Sequence, residues 1–344
     1  MAATSPLKAN SARGQPSTSI CQRQLLPIER NSVNPSQFAQ AVQANVAQVI
    51  IGKQEVVELM LVAMLCDGHI LLEDVPGIGK TTLAKALARS VGCSFSRIQF
   101  TPDLLPSDVT GINYFNQKKQ EFEFRQGPIF SQILLADEIN RATPRTQSSL
   151  LEAMQERQST VDGETFPLPS PFLVIATQNP IELEGTFPLP EAQLDRFTMQ
   201  IRLGYPTEAE EDEILLRYEK GDPLVELGVV AGVDVLLDLQ AQVKQIHVNQ
   251  DVRRYLLQVV RATRTHAAVQ LGVSPRGTLA LYRACQALAA LRGRDYVIPS
   301  DIQHLAPYVL THRIHIAAQT RLRGRTAAEI VADIADTIPV PVVQ

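Results

Sequence analysis

The stretch from Leu71 to Thr82 joins an apolar strand to a helix through a glycine-rich turn. Gly77 and Gly79 carry no Cβ, so the backbone there can adopt positive φ and bring its N–H groups close to an anion. Lys80 follows as a positive charge, and the helix that begins there points its N-terminal dipole at the same place. The pattern therefore predicts a phosphate-binding loop at the carboxyl end of a strand.

This loop has the composition of a nucleoside triphosphate site. Lys80 would neutralise the β and γ phosphates, and the Thr81 hydroxyl would bind Mg²⁺. The usual pattern is G-x-x-x-x-G-K-[ST], and Asp74 stands at its first glycine. We expect Asp74 to end the strand, at a position where a residue with a side chain is tolerated.

The length and composition of the chain limit what surrounds this loop. The 344 residues suit two domains, and a formal net charge of -4 disfavours a dedicated nucleic-acid-binding protein, which needs a basic face. The longest apolar stretch, 59–72, is interrupted by Asp67, Gly68 and His69, so we predict no membrane span. The four cysteines form no C-x-x-C pair, which favours free thiols in a reducing compartment and a cytoplasmic location.

Residues 1–35 are predicted to form a disordered tail. They are rich in Ser, Gln and Pro, and Pro6, Pro16 and Pro27 break any continuous helix. A transit peptide is the alternative reading of this composition.

The remaining chain divides into an α/β part and a helical part. Apolar strands alternate with helices over 36–205, which predicts a parallel sheet covered on both faces. The strands are expected at 69–73, 95–100, 133–137, 172–176 and 199–203, and the clearest helices at 81–91 and 145–155. Helical periodicity then continues alone, which predicts a helical domain over 206–325 and a C-terminal tail over 326–344.

Two segments of the α/β part are not needed for its sheet. Residues 103–130 alternate Phe122 and Phe124 with charges, which predicts a hairpin or a short helix followed by a hairpin. Residues 159–171 contain Asp162-Gly163, a strong signal for a hairpin turn. Both segments are expected to protrude from the domain.

Polar residues follow two of the buried strands. Asp137 and Glu138 end the strand at 133–137, and successive side chains on a strand point to opposite sides, so the two carboxylates can do different work. Asp137 would hold Mg²⁺, and Glu138 would polarise a water for attack on the γ phosphate. Asn179 follows the strand at 172–176 and could position the same water, although an Asn before Pro is usually a turn residue.

Two arginines are candidates for stabilising the charge that develops during phosphoryl transfer. Arg196 lies just before the last strand, and Arg276 opens a helix of the second domain. Arg276 could reach back over the nucleotide, so that the phosphates hold the two domains together. The alternatives are a surface ion pair between Asp195 and Arg196, and an ordinary first-turn arginine at 276.

These motifs together resemble the MoxR family of AAA+ ATPases. The resemblance spans roughly residues 36–320 and is carried by the segments 73–82, 136–142, 147–154, 176–180 and 190–197. It implies an AAA+ P-loop core with a five-stranded parallel sheet, a C-terminal helical lid and a hexameric ring. The inserts at 103–130 and 159–171 correspond to the helix-2 insert and to the hairpin before sensor 1 of this AAA+ branch.

The resemblance also assigns roles to residues. Residues 77–81 would form Walker A, Asp137 and Glu138 Walker B, Asn179 sensor 1, Arg196 an arginine finger acting on the neighbouring subunit's nucleotide, and Arg276 sensor 2. Catalysis would rest on Glu138, Asn179 and Arg196, and Mg²⁺ on Thr81 and Asp137. The implied nucleotide-contacting set is Ile50, Ile51, Gly52, Pro76, Gly77, Ile78, Gly79, Lys80, Thr81, Thr82, Asp137 and Arg276. Within this set, Ile50, Ile51 and Gly52 match the family's adenine-contacting stretch. Arg141 would contact nucleotide or a neighbouring subunit, or only cap the segment before Thr143.

The implied function is Mg²⁺-dependent ATP hydrolysis coupled to remodelling or maturation of protein clients. MoxR-like proteins often act with a partner that bears a von Willebrand factor A domain, so such a partner and a protein client are expected. One alternative is a magnesium-chelatase motor subunit, which uses a related ring with similar inserts. Another is a nucleotide-gated scaffold or nucleic-acid-associated motor, with Lys118 and Lys119 able to contact a strand in a ring pore.

Overall fold

The computed structural model describes residues 33–180, 185–219 and 221–341. The predicted N-terminal tail lies almost entirely outside the described residues. The helices are α1 Pro35–Val46, α2 Gln54–Leu65, α3 Lys80–Ser90, α4 Pro106–Thr110, α5 Pro144–Glu156, α6 Glu191–Leu194, α7 Glu208–Tyr218, α8 Pro223–Glu226, α9 Val233–Val243, α10 Gln250–Thr265, α11 Pro275–Leu291, α12 Pro299–Leu310, α13 Ala318–Leu322 and α14 Ala327–Thr337. The strands are β1 Ile70–Glu73, β2 Phe95–Gln99, β3 Gly111–Asn116, β4 Glu121–Gln126, β5 Ile133–Asp137, β6 Gln158–Val161, β7 Glu164–Pro167, β8 Leu173–Gln178, β9 Met199–Ile201, β10 Val269–Leu271 and β11 His315–Ile316.

A five-stranded parallel sheet forms the centre of the α/β part. Its strand order is β2-β5-β8-β1-β9, and every neighbouring pair is parallel. The central strands β1, β5 and β8 are buried on both faces, which explains why they read as continuous apolar runs. The predicted α/β fold with a parallel sheet and a helical lid is confirmed.

The two edges of this sheet are important for the site. The carboxyl-terminal edge carries the loop after β1, the end of β5 and the residue after β8. The amino-terminal edge carries the start of β9, because Met199 pairs with Ile70 and the Thr198 N–H donates to the His69 carbonyl. A strand of five residues separates these edges by about 16 Å.

Both predicted inserts are present. The segment 103–130 contains the short helix α4 and the β3–β4 hairpin, and the segment 159–171 contains most of the β6–β7 hairpin. Asp162 and Gly163 both have positive φ, as a two-residue hairpin turn requires. The rings of Phe124 and Phe166 stack with their centroids 4.1 Å apart, so the two hairpins support each other.

The helical part differs from the prediction in two places. Strands β10 and β11 form a small antiparallel pair where only helices were expected, because each strand is too short to show a period in the sequence. The segment 326–344 was predicted to be a tail, and this is wrong for α14. A capping box of Thr326 and Glu329 begins that helix, and the Tyr255 hydroxyl donates to the Ala335 carbonyl at 3.0 Å.

Packing places the helical part directly on the α/β part. Buried residues of α1, α2 and α3 form one continuous apolar core with α9–α12 and α14, whereas the inserts and α5 pack on the other face of the sheet. Of the helices in the described ranges, none is long and apolar enough to cross a membrane.

Candidate functional site

The loop after β1 has the geometry of an anion cradle. Gly77 and Gly79 have φ of +87° and +89°, and a Cβ at either position would meet no atom within 4 Å, so the loop is open on that side. The backbone N–H groups of a loop in this conformation can face an anion. Gly79 is the N-cap of α3, and Thr81 and Thr82 lie in the first turn of that helix. The exposed Pro76 and the half-buried Ile78 complete the loop.

Lys80 is buried at the base of this cradle. Its Nζ donates to the Asp74 carbonyl at 2.8 Å, which holds the ammonium group within the loop. Burial lowers the pKa of Lys80, and the carboxylates of Asp137, Asp74 and Glu138 oppose that shift. The charges of these three carboxylates therefore favour the protonated form of Lys80.

Asp74 connects the loop to the chain that leads into the helical part. Strand β1 ends at Glu73, as expected, and the Asp74 carboxylate accepts hydrogen bonds from the Leu203 and Gly204 N–H groups. A glycine at this position could not make these bonds. Asp74, which replaces the usual glycine, thus links the phosphate loop to residues 203–204 by hydrogen bonds.

Asp137, the first of the two predicted Walker B carboxylates, lies at the end of β5 and accepts hydrogen bonds on both oxygens. Its Oδ1 accepts from the Thr177 hydroxyl at 2.6 Å, and its Oδ2 accepts from the Arg97 guanidinium at 2.7 Å. Arg97 lies on β2, the strand beside β5. A cation is therefore already in contact with the carboxylate proposed for Mg²⁺.

Glu138 turns away from the strand in the left-handed conformation, with φ +55° and ψ +50°. Its N–H donates to the Thr177 hydroxyl at 2.8 Å, and its Oε2 accepts from Gln99 at 2.7 Å and from Arg141 at 2.8 Å. Arg141 thus has a contact that the sequence analysis did not consider, an ion pair with Glu138 of its own chain. Asn179 is buried directly after β8, on the same edge of the sheet as the two carboxylates.

The segment assigned to the adenine lies beside the same region. Ile50 and Ile51 are half-buried, and Gly52 has φ +71°. A Cβ on Gly52 would lie 1.5 Å from the Glu210 carboxylate at the start of α7, and the left-handed φ of Gly52 favours glycine at this close approach. Lys53 donates to the Tyr205 carbonyl at 3.1 Å. The chain over 203–210 therefore contacts both the phosphate loop and the predicted adenine segment.

Arg196 lies at the opposite edge of the sheet. It precedes β9 by three residues, and the neighbouring Asp195 pairs with Ser274 at 2.8 Å and with Arg313 at 2.7 Å. The Asp195 carboxylate therefore pairs with Ser274 and Arg313, and not with Arg196 as the alternative interpretation expected. Within the described ranges, the Arg196 Nε is buried and has no hydrogen-bond partner.

Arg276 lies at this amino-terminal edge too. It donates to the Gln155 side chain at 3.0 Å, near the end of α5. The preceding residue, Met154, accepts at its carbonyl from the buried ring of His69, which directly precedes β1. The expectation that Arg276 reaches over the nucleotide of its own chain is therefore wrong in this structure, because its side chain contacts Gln155 at the edge of the sheet opposite the phosphate loop.

Comparison with known proteins gives a consistent relationship. Family models described as "ATPase family associated with various cellular activities (AAA)" and "AAA lid domain" match residues 69–199 and 261–334. The chain is 45% identical to Chaperone MoxR1 of Mycobacterium tuberculosis over 306 residues, covering 86% of this chain and 80% of that one. The chain belongs to the MoxR family of AAA+ ATPases.

Two further relatives extend this membership. The uncharacterized protein YeaC of Bacillus subtilis is 52% identical over 298 residues, which is 87% of this chain and 93% of that protein. A crystal structure from Cytophaga hutchinsonii, described as a candidate ATPase, superposes with a TM-score of 0.84 at 37% identity, covering 89% of this chain and 96% of its own. The MoxR-type architecture thus extends over nearly the whole described chain.

Several residues of this MoxR-type site were not found from the sequence. Arg97 and Gln99 are two residues apart on β2, and their contacts with Asp137 and Glu138 can be anticipated only when β2 is known to lie beside β5. Thr177 lies within an apolar strand and shows no motif of its own, yet its hydroxyl is hydrogen-bonded to both Asp137 and Glu138. Arg313 is 118 residues from Asp195, and nothing in its local sequence indicates that pairing.

Proposed function

We propose that the chain is a Mg²⁺-dependent ATPase whose hydrolysis site is completed by a neighbouring copy in a hexameric ring. One observation carries this proposal. Lys80, Asp137 and Glu138 lie on the carboxyl-terminal edge of the sheet, whereas Arg196 and Arg276 lie on the opposite edge. Each copy therefore offers a cradle with carboxylates on one side and two arginines on the other.

The donor set on the carboxyl-terminal edge fits ATP with Mg²⁺. The backbone N–H groups around Gly77 and Gly79 would bind phosphate oxygens, and Lys80 would neutralise the β and γ phosphates. Thr81 and Asp137 would hold the metal through oxygen atoms, which Mg²⁺ prefers. Bound Mg²⁺ would offset the negative charge that the phosphates bring to these carboxylates.

The remaining residues divide the chemistry of hydrolysis. Glu138 would orient the attacking water and take its proton, and Asn179 would hold the same water without adding charge. In this structure Gln99 and Arg141 donate hydrogen bonds to the Glu138 carboxylate. Nucleotide binding would have to break these bonds before Glu138 can act on the water. Arg196 and Arg276 of the next copy would meet the charge on the γ phosphate, an effect worth about 10³–10⁵ in rate where an arginine finger acts.

We extend the proposal to the use of the hydrolysis energy. Chaperone MoxR1 is a chaperone by its name, and this chain shares 45% of its residues over the matched region. A remodelling or maturation role on protein clients in the cytoplasm follows by analogy, with a von Willebrand factor A domain protein as the expected partner. The same identity favours this role over a magnesium-chelatase motor or a nucleic-acid motor.

The decisive experiment measures ATP turnover and ATP binding separately. Lys80→Ala should lose both, whereas Glu138→Gln should lose turnover at least a hundredfold and retain binding, in line with general acid–base contributions of about 10²–10⁴. Lys85→Ala is the matched control, because Lys85 is an exposed lysine on the same helix. Turnover that survives in both Lys80→Ala and Glu138→Gln would refute the proposal.

The client role needs its own test. Glu138→Gln held in ATP should trap clients and partners in a pull-down, and Lys80→Ala under the same conditions should not. Equal recovery of proteins by the two variants would contradict nucleotide-dependent engagement.

A further inference from the structure

The buried guanidinium of Arg313 binds the backbone on both sides of Arg196. Its side chain is only 2% exposed, and its Nε donates to the Asp195 carboxylate at 2.7 Å. Its Nη groups donate to the carbonyls of Asp195 at 3.2 Å and Thr198 at 3.1 Å, and also to that of Phe197. The peptide group immediately before Arg196 and the carbonyls of the two residues that follow it are therefore held by one side chain.

Arg313 belongs to the helical part of the chain, so this contact joins two regions. It follows α12 directly, and its Nη1 also donates to the Val309 carbonyl within that helix. Helix α11 contributes the Ser274 hydroxyl, which donates to the second oxygen of Asp195 at 2.8 Å and also caps α11. Helices α11 and α12 are thus fastened to the segment 195–198.

Gly277 makes this arrangement possible. A Cβ at that position would lie 2.5 Å from Val273 Cγ1, 2.8 Å from Arg313 Cδ and 3.2 Å from Arg313 Nε. Its φ is not in the left-handed region, so the need for glycine here is one of space. The first turn of α11, which carries Arg276, therefore packs directly on the side chain that holds the segment around Arg196.

We propose that Arg313 is a positioning residue for Arg196, so that the orientation of the helical part controls whether Arg196 can act on the neighbouring copy's ATP. This inference rests on the proposed function, and it adds a residue and a route of control to it. Arg313 itself touches no nucleotide on this reading. Its effect passes through Asp195 and the carbonyls that flank Arg196.

The chemistry of the guanidinium suits this role. It presents five N–H donors in a rigid planar fork, so one side chain can hold several acceptors in a defined geometry, which a lysine ammonium cannot do. Burial lowers the pKa of Arg313 to about 10, against the opposing effect of Asp195, so the group stays charged at neutral pH. A displacement of a catalytic group by about 1 Å can cost about a hundredfold in rate.

The competing explanation is that Arg313 only stabilises the fold. A matched control separates the two readings, because Arg294 forms a buried bidentate pair with Asp301 in the same helical part. Arg294 follows the carboxyl end of α11, about 25 Å along that helix from Ser274. Arg294→Met removes a comparable buried ion pair without touching the segment 195–198.

The first measurement compares kcat with the ATP dissociation constant, below the unfolding temperature of every variant. Arg313→Met and Arg313→Lys should lower kcat by about a hundredfold and change the dissociation constant less than twofold, whereas Arg294→Met should change neither. Gly277→Ala keeps every charge and displaces Arg313, so it should also lower kcat selectively. Variants of Arg313 that fold, bind ATP and turn over normally would overturn the proposal.

The second measurement asks in which copy Arg313 acts. Arg313→Met mixed with Glu138→Gln should recover turnover, because the intact Arg196 of the Glu138→Gln copy faces the intact cradle of the other. The control mixture of Arg196→Ala with Glu138→Gln should recover to the same extent. Recovery in the control mixture alone would overturn the proposal for Arg313 and leave the proposed function standing. Failure of the control mixture would refute the trans action of Arg196, and the proposal with it.

Discussion

The Arg97 guanidinium donates to the Asp137 carboxylate at 2.7 Å, through a contact between neighbouring strands β2 and β5. Asp137 is the carboxylate that we propose to hold Mg²⁺ beside the phosphate loop, so the arginine and the metal would compete for the same carboxylate oxygens. Arg97 is 46% exposed, which leaves its side chain free to swing into solvent. We therefore expect Arg97 to leave the Asp137 carboxylate when Mg²⁺ binds there.

Arg97→Ala should lower the Mg²⁺ concentration needed for half-maximal ATP turnover by about two- to fivefold. That range corresponds to about 0.4–1 kcal/mol, the upper part of what exposed ion pairs contribute. A Mg²⁺ titration at saturating ATP measures the effect. Arg202→Ala is the control, since Arg202 forms an ion pair with Glu73 at the ends of β9 and β1, away from the β2–β5 pair. A higher Mg²⁺ requirement in Arg97→Ala would show that Arg97 supports metal binding.

Arg276→Ala should leave ATP binding by the dissociated subunit unchanged within twofold and should lower turnover in the assembled state. The reason is the position of Arg276 beside Gln155, on the edge of the sheet opposite Lys80. Nucleotide titration at concentrations where the chain is monomeric measures the binding, with Lys80→Ala as the variant that should lose it. A tenfold weaker affinity for Arg276→Ala in the monomer would mean that Arg276 reaches its own chain's nucleotide.

The local sequence pattern was sufficient to predict the central sheet and the phosphate loop. Strand β5 has the predicted bounds, and β8 extends two residues beyond the predicted end because Thr177 and Gln178 continue the ladder with β1. Such elements are set by short apolar runs and by turn residues next to them, all of which lie within a few positions of each other. The phosphate loop is local in the same sense.

The contacts between distant parts of the chain could not be predicted in this way. Arg97 meets Asp137 only because β2 and β5 are adjacent in a sheet whose order differs from the sequence order. Arg276 was expected over the nucleotide, and its actual edge depends on how the whole helical part packs on the sheet. A side chain at the start of a helix gives no information about that orientation.

Asp74→Gly should destabilise the fold even though it restores the usual glycine of the phosphate loop. The buried Leu203 N–H would lose its acceptor, and an unsatisfied buried donor costs about 1–3 kcal/mol. Denaturant unfolding should show a lower midpoint for Asp74→Gly than for Asp74→Asn, which keeps an oxygen acceptor. Equal midpoints for the two variants would show that the bond to Leu203 contributes little.

His69 should make the fold sensitive to acid. The ring is buried, accepts from the Val174 N–H at 3.0 Å and donates to the Met154 carbonyl, so both nitrogens of the neutral form are satisfied. Burial, aided by the charge of Arg157, lowers the pKa of His69 from 6.5 to about 3. Between these values the unfolded chain binds a proton that the folded chain does not. The free energy of unfolding should therefore fall by about 1.4 kcal/mol for each pH unit below 6.5.

His69→Gln tests this contribution, because a glutamine amide can offer both a donor and an acceptor and does not titrate. The variant should start with lower stability at pH 7 and should lose less of it between pH 6.5 and pH 4. Unfolding free energies of both proteins across that range, at constant ionic strength, give the difference in slope. Parallel pH profiles for the two proteins would show that His69 binds its proton equally in the folded and unfolded states, and that other groups cause any acid sensitivity.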